Sequence, residues 1–258
     1  MNSDRSYSVF ARYYDLLTEN VDYEARAAYL DELIRRLHPV EDCVLLDLAC
    51  GTGTLSEAMA RRGYDVIGVD GSGDMLNEAM EKKCESGLPI QYVCQDMRRL
   101  ELYGTVDVTI CMLDSLNHLP GLSDIQNVFR RVSRYTEPGG LFLFDVNTLH
   151  KHRVTLGDQV FLFDLDEVYC VWENRFDGDA AVTITLDFFE SGDGEHYTRT
   201  TEQFRERAYP RQVLEQALED AGFAVEAVYG ADSLDPPTED TDRLIFAARK
   251  KRGVTWDS

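Results

Sequence analysis

Basic residues are in short supply. The chain carries 26 Lys and Arg against 47 Asp and Glu, a net charge of −21. Nucleic-acid binding runs on clustered cations that displace counterions from phosphates, and anionic lipid attracts basic segments. Neither partner suits so acidic a chain. Long apolar runs are missing too. A spanning helix needs about 20 consecutive apolar residues, and the apolar stretches here are short and cut by Asp47, Asp70 and Asp145. The opening MNSDRSYSVFARYYD lacks the uninterrupted apolar segment of a secretory signal, so a cytoplasmic location is expected. The six cysteines, at 43, 50, 84, 94, 111 and 170, contain no CxxC pair; they read as reduced thiols. His150 and His152 have no third ligand at metal spacing, and no metal centre is expected. No Gly-Lys-Ser/Thr follows a glycine turn, which removes the P-loop proteins. No internal repeat is visible.

What is present is a globular composition, 44% hydrophobic and 28% charged over 258 residues, enough for one large domain or a domain with an insertion. Residues 22–38 carry Ala27, Leu30, Leu33, Ile34 and Leu37 at helical spacing. Short apolar strands follow at 43–48, 65–70, 90–94, 106–112 and 141–146, separated by helical patterns at 54–62, 72–86 and 123–135, the last with Ser123 placed as a cap. This alternation demands right-handed crossovers and a mostly parallel, doubly wound α/β sheet. From 158 to 208 the pattern turns to alternating strands with turns at Asp177-Gly178-Asp179 and Ser191-Gly192-Asp193-Gly194, an inserted antiparallel sheet. A helix at 210–221 and strands at 223–229 and 243–249 close the core around an acidic connector, 232–242. The expected organisation is a core of 1–148 and 209–258, with a helical N-terminal lid, and an inserted β subdomain of 149–208 on the acceptor side or at a dimer interface. The basic run 249–252 reads as a solvated terminus.

Open α/β sheets bind ligands beyond the carboxyl ends of their strands, at the switch point. Cys50-Gly51-Thr52-Gly53 follows the first strand there, Asp70 ends the second, and Asp96-Met97 follows the third. The glycines admit a tight turn and close backbone approach. Asp70 is placed to accept bonds from ribose hydroxyls and Asp96 from an exocyclic amine. A dinucleotide fingerprint wants glycine where Ser56 stands.

The run Asp47-Leu-Ala-Cys-Gly51-Thr-Gly53, then Gly-Val-Asp70-Gly-Ser-Gly-Asp-Met75-Leu, Gln-Asp96-Met97-Arg98, Asp114-Ser-Leu-Asn117-His118 and the opening Phe10-Ala-Arg-Tyr-Tyr14-Asp15 closely resemble the class I S-adenosylmethionine-dependent methyltransferases. The likeness is to the bacterial small-molecule type with a β insertion before the last helix, and it spans about residues 7–148 and 209–249. It departs at Ala49, where the family most often has glycine.

The resemblance implies a seven-stranded sheet whose last strand is antiparallel, and S-adenosyl-L-methionine as cofactor. By the same resemblance, Asp47, Ala49, Cys50, Gly51 and Gly53 form the loop at the methionine end and Tyr14 caps the methionine carboxylate. Asp70 with Gly71 takes the ribose. Met75, Asp96 and Met97 surround the adenine, and Leu113 with Asp114 borders the sulfonium. For a hydroxyl acceptor, His118 or Asp114 is the nearest base. Glu202, Arg205 and Tyr209 form a candidate acceptor rim. The expected function is N- or O-methylation of a small molecule by a monomer or homodimer. The competing readings are a nicotinamide-dependent oxidoreductase and a non-catalytic cofactor-binding or dimerisation module.

Overall fold

The computed structural model describes residues 8–192, 194–230 and 233–253. Asp193 of the second predicted turn and Asp232 of the acidic connector lie outside them. Helices α1 (Ser8–Leu17) and α2 (Tyr23–Leu37) precede a βα series of β1 (Val44–Leu48), α3 (Thr54–Ala60), β2 (Asp65–Asp70), α4 (Gly73–Ser86), β3 (Gln91–Cys94), β4 (Val106–Cys111), α5 (Leu122–Tyr135) and β5 (Thr136–Asn147). The inserted strands are β6 (Val160–Asp164), β7 (Val168–Phe176), β8 (Ala181–Glu190) and β9 (Thr198–Arg207); α6 (Arg211–Asp220), β10 (Phe223–Gly230) and β11 (Arg243–Lys250) complete the chain.

The main sheet runs β10-β11-β5-β4-β1-β2-β3, and the inserted sheet β6-β7-β8-β9. Pairs from β3 through β5 are parallel, while β11 runs antiparallel to both β5 and β10. The period-2 alternation of strand side chains divides the apolar residues between two faces. Leu46, Leu48, Phe142, Phe144 and Phe246 pack with α5 and α6. Leu45, Val108, Ile110, Leu141 and Leu143 pack with α2 and α3 on the other face. Here α2 is a core helix: Leu30 and Leu33 are fully buried. A third core joins α1 to the insertion through Val9, Phe10, Tyr13, Ile184, Leu186 and Phe188.

Three local expectations change. Ser123 sits inside the first turn of α5, whose N-cap is Gly121 without a side-chain cap bond. Strand β5 starts five residues before Leu141, through Pro138-Gly139-Gly140, with a register shift opposite Val106 and Val108. A Cβ at Gly140 would come within 2.5 Å of the Asp107 carbonyl oxygen, so the close crossing requires glycine. Nor is the basic run solvated throughout. Arg249 donates to the carbonyls of Gly139 and Leu37 and pairs with Glu226, and buried Lys250 donates to the Thr136 carbonyl at 2.7 Å.

Candidate functional site

Strand β1 delivers the chain to a loop held in the left-handed region at Ala49 (φ 61°), Gly51 (φ 55°) and Gly53 (φ 76°). A Cβ on Gly53 would strike the Tyr92 hydroxyl and come within 2.9 Å of Ala79 Cβ, so helix α4 and β3 demand glycine there. Gly51 instead faces open space, with nothing within 4 Å of its would-be Cβ. One position packs the loop down, and the other leaves room for a ligand. Ala49 stands in a conformation that costs a non-glycine residue roughly 1–2 kcal/mol, a sign of local strain at the site.

Asp70, ending β2, reaches across to this loop. Its carboxylate accepts from Gly51 N at 2.8 Å and Ser72 N at 2.8 Å. Burial pushes its pKa up, and those amides pull it back. Carboxylate oxygens have further lone pairs for hydroxyl donors. Asp47 is buried beneath the loop and accepts from Ser56 Oγ at 2.5 Å; desolvation drives its carboxyl up to about 7. Ser56 thus spends its hydroxyl inside the molecule. Asp96 accepts from Arg98 N at 2.8 Å and pairs with the Arg98 guanidinium at 2.5 Å, which lowers its pKa. In this arrangement Asp96 caps the short turn Met97–Arg99.

Helix α1 lies over the loop. Asp15 accepts from Thr52 Oγ1 at 2.7 Å and Thr54 Oγ1 at 3.2 Å and pairs with Lys82. At its other end, Glu202 of β9 accepts from Val9 N at 2.9 Å and Phe10 N at 3.3 Å. A carboxylate at a helix N-terminus satisfies orphan amides and the helix dipole. Tyr14, Asp47, Ala49, Cys50, Gly51 and Leu113 meet around one cavity of about 40 Å³ below α1. That is room for about one water. A larger open concavity of about 480 Å³ lies beside Leu37, Pro138 and Arg249, at the other end of the sheet. Arg249, one of the cations that line it, is already committed to carbonyls and Glu226.

Beyond β4, Leu113 (φ 58°) and Asp114 (φ 53°) are consecutive left-handed residues. A buried charge network holds them there. Asp114 N donates to Asp145 Oδ1 at 2.6 Å, and Arg243 pairs with Asp114 at 2.5 Å and with Asp145 at 2.7 Å. Arg26 of α2 reaches Asp145 at 3.2 Å. The Asp114 carboxyl is held well below the usual range, with Arg243 and Lys151 outweighing the cost of burial. Burial and Arg243 lower the pKa of Lys151, whose Nζ donates to Asn147 Oδ1 at 2.9 Å.

The short turn Ser115–His118 follows. Asn117 is clamped by its bonds to Asn147 and the Arg207 carbonyl, which fixes the backbone of His118. His118 Nε2 faces Glu206 of β9 at 3.9 Å, and its ring lies 5.2 Å from that of Phe204. Donor atoms of Asp114, His118 and Glu206 come within 4.8 Å of one another, but Arg243 and Lys151 already balance charge beside them.

The structure therefore gathers the loop residues, Asp70 and Leu113 with Asp114 at one strand-end cleft, with His118 beside Asp114. Met75 is buried in the cluster it shares with α1, and half-buried Met97 packs against the cluster on the α5 face of the main sheet. Arg205 is exposed and pairs with Asp177, and Tyr209 is buried with its hydroxyl donated to the Leu119 carbonyl at 2.7 Å. Of the suggested rim, Glu202 bonds to α1. Asp15 and Asn117 stood in the quoted motifs without an assigned role, and Asn147, Lys151, Glu206 and Arg243 were not singled out by sequence.

Residues 45–140 match the family model described as a methyltransferase domain. The Bacillus subtilis (strain 168) protein named "Putative methyltransferase YqeM" is 31% identical over 250 residues, covering 96% of this chain and 98% of its own. A crystal structure of an S-adenosylmethionine-dependent methyltransferase from Clostridium acetobutylicum ATCC 824 superposes with a TM-score of 0.84 at 32% identity, covering 95% of this chain and 99% of that one. CalS10, an amino pentose methyltransferase from Micromonospora echinaspora with bound S-adenosylmethionine, shares the fold at TM-score 0.74 and 21% identity, covering 97% and 100%.

Proposed function

Because the chain belongs to the class I S-adenosylmethionine-dependent methyltransferases, we propose that it methylates nitrogen or oxygen on a small molecule, in the cleft between the glycine loop, α1 and the inserted sheet. The observation that carries this reading is the recess of His118 and Asp114, their side chains 30% and 19% exposed, between the core and β9, with α1 latched to the glycine loop at one end and to β9 at the other. A site walled in this way suits an acceptor that fits inside it better than a polymer lying across it. The surplus of acids favours a cationic or neutral acceptor over a phosphate-rich one, and an amino sugar, the acceptor type named for CalS10, fits that description.

The residues suit the cofactor. Asp70, anchored by Gly51 N and Ser72 N, receives the ribose hydroxyls. Asp96 and Met97 recognise the adenine edge, which requires Asp96 to share its carboxylate with Arg98. The open side of Gly51, with Ala49 and Tyr14, receives the methionine end, whose ammonium draws Asp47 toward its ionised form. When bound, S-adenosylmethionine supplies an activated methyl group and leaves as S-adenosylhomocysteine, the electron pair of the broken bond staying on sulfur. The protein aligns the acceptor and excludes water, α1 closing the cleft through Asp15.

The test is incubation of the purified protein with methyl-labelled S-adenosylmethionine and a metabolite extract, followed by separation by size. Label in the small-molecule fraction, with matching release of S-adenosylhomocysteine, is expected. Label in RNA or protein, with none in small molecules, would overturn the acceptor class. A cytoplasmic site of action accords with that substrate class.

A further inference from the structure

We propose that Glu206, on the inserted sheet, is the positioning residue that makes His118 the base of the reaction; this rests on the methyl-transfer reading above. A neutral imidazole offers one N–H and one lone pair, and which nitrogen carries the proton is set by what faces the other. Glu206 Oε1 faces His118 Nε2 at 3.9 Å, an electrostatic contact rather than a hydrogen bond. Apart from it, His118 Nδ1 is buried and has no hydrogen-bond partner. The carboxylate favours hydrogen on Nε2 and leaves the Nδ1 lone pair free.

Glu206 is itself fixed. It is 4% exposed, accepts from Asn147 Nδ2 at 3.0 Å and meets His152 Nε2 at 3.3 Å. His152 Nδ1 lies 3.2 Å from the Ala180 carbonyl while its Nε2 meets Glu206, so the ring is held from both nitrogens. Asn147 holds both ends of the arrangement, since its backbone bonds to Asn117 beside His118. A buried nitrogen without a donor costs free energy, and none of the described residues supplies one. The donor that completes Nδ1 is the N–H or O–H of the acceptor. As that atom takes the methyl group, its N–H or O–H bond breaks, the proton passes to Nδ1 and the bonding pair stays on the acceptor. Side chains that orient a histidine in this way are worth about 10–100-fold where they have been removed from metal-binding histidines, and the same scale is expected here. The insertion then completes the reaction centre as well as covering it.

Nitrogen-15 NMR of histidine-labelled protein tests the pairing without any acceptor. His118 is expected as the Nε2–H tautomer in the wild type and as a mixture in Glu206→Gln. With an acceptor from the label screen, Glu206→Gln is expected to lower kcat about 10–100-fold while KM for S-adenosylmethionine holds, and Glu206→Asp to recover part of the loss. An Nδ1–H tautomer in the wild type, or an unchanged tautomer and kcat in Glu206→Gln, would overturn the proposal. So would selective broadening of His118 by micromolar Mn²⁺, which would assign Asp114, His118 and Glu206 to a cation. If Glu206→Gln fails to fold, the wild-type tautomer and Glu206→Asp decide the question. Failure of the label screen alone would count against the functional reading and leave the tautomer result standing.

Discussion

At the scale of single residues, the site is built from carboxylates whose surroundings pull in opposite directions, raising Asp47 and Asp70 and lowering Asp96 and Asp114. Asp47 is the clearest. Its carboxyl is raised to about 7 by desolvation, whereas an unfolded Asp titrates near 3.9. Folding therefore favours the protonated form: the stabilisation is full below about pH 4 and is lost as pH rises through about 7. Asp47→Asn keeps an acceptor for Ser56 Oγ and removes the titration. Thermal unfolding should show the variant more stable than wild type at pH 8, with the difference closing toward pH 4; a constant difference would mean Asp47 titrates normally. Arg243 presents the opposite case, a buried cation answering two carboxylates. Arg243→Met leaves Asp114 without a guanidinium and should cost about 3–5 kcal/mol in denaturant unfolding, the range for breaking a buried ion pair.

At the scale of elements, α1 is a short helix held by ties at each end. Helices of ten residues are marginal alone, and this one is secured by Glu202 at its start and Asp15 near its close. Asp15→Asn keeps an acceptor oxygen for a threonine and loses the ion pair with Lys82. Hydrogen exchange across residues 8–17 should quicken several-fold, and S-adenosylhomocysteine should associate faster in stopped flow. Unchanged exchange would show that the apolar face of α1 holds it without the latch. Periodicity in the sequence was enough to place the strands and the larger helices, because burial on a sheet face or helix stripe leaves a regular trace. It missed the start of β5, since a stretch containing Pro138 and two glycines reads as a turn until Asp107 is seen to approach it. It placed Ser123 as a cap because chemistry alone does not say which residue adopts the non-helical conformation.

At the scale of the whole molecule, three cores divide the work. The two faces of the main sheet support the glycine loop, and the third core ties the insertion to α1. Phe188 is fully buried there and stacks on Tyr13 at 6.1 Å. Phe188→Ala should cost about 3–5 kcal/mol, with hydrogen exchange rising in α1 and β7–β9 together while α5 stays protected. A loss spread evenly over the main sheet would contradict the division. The acidic surplus is likewise divided: Asp47, Asp70, Asp114 and Asp145 are committed inside the site and its supports. The glycine loop proposed to hold the cofactor was legible in sequence because all its residues lie within short distances of glycines and strand ends. The acceptor side was not. His118 and Glu206 stand 88 positions apart, and Arg26, Asp145 and Arg243 come from three distant elements. No local pattern records such meetings; only the fold does.

The central claim is that the strand-end cleft, through Asp70 and the glycine loop, is an S-adenosylmethionine site. Calorimetric titration with S-adenosylhomocysteine, alongside NAD, of the wild type and Asp70→Ala tests it most directly. The account predicts one-to-one binding of S-adenosylhomocysteine to the wild type, none of NAD, and a loss of about 10–100-fold in Asp70→Ala, the scale of charge-assisted hydrogen bonds at roughly 1.5–3 kcal/mol. Equal affinity in the two proteins, or preference for NAD, would contradict it.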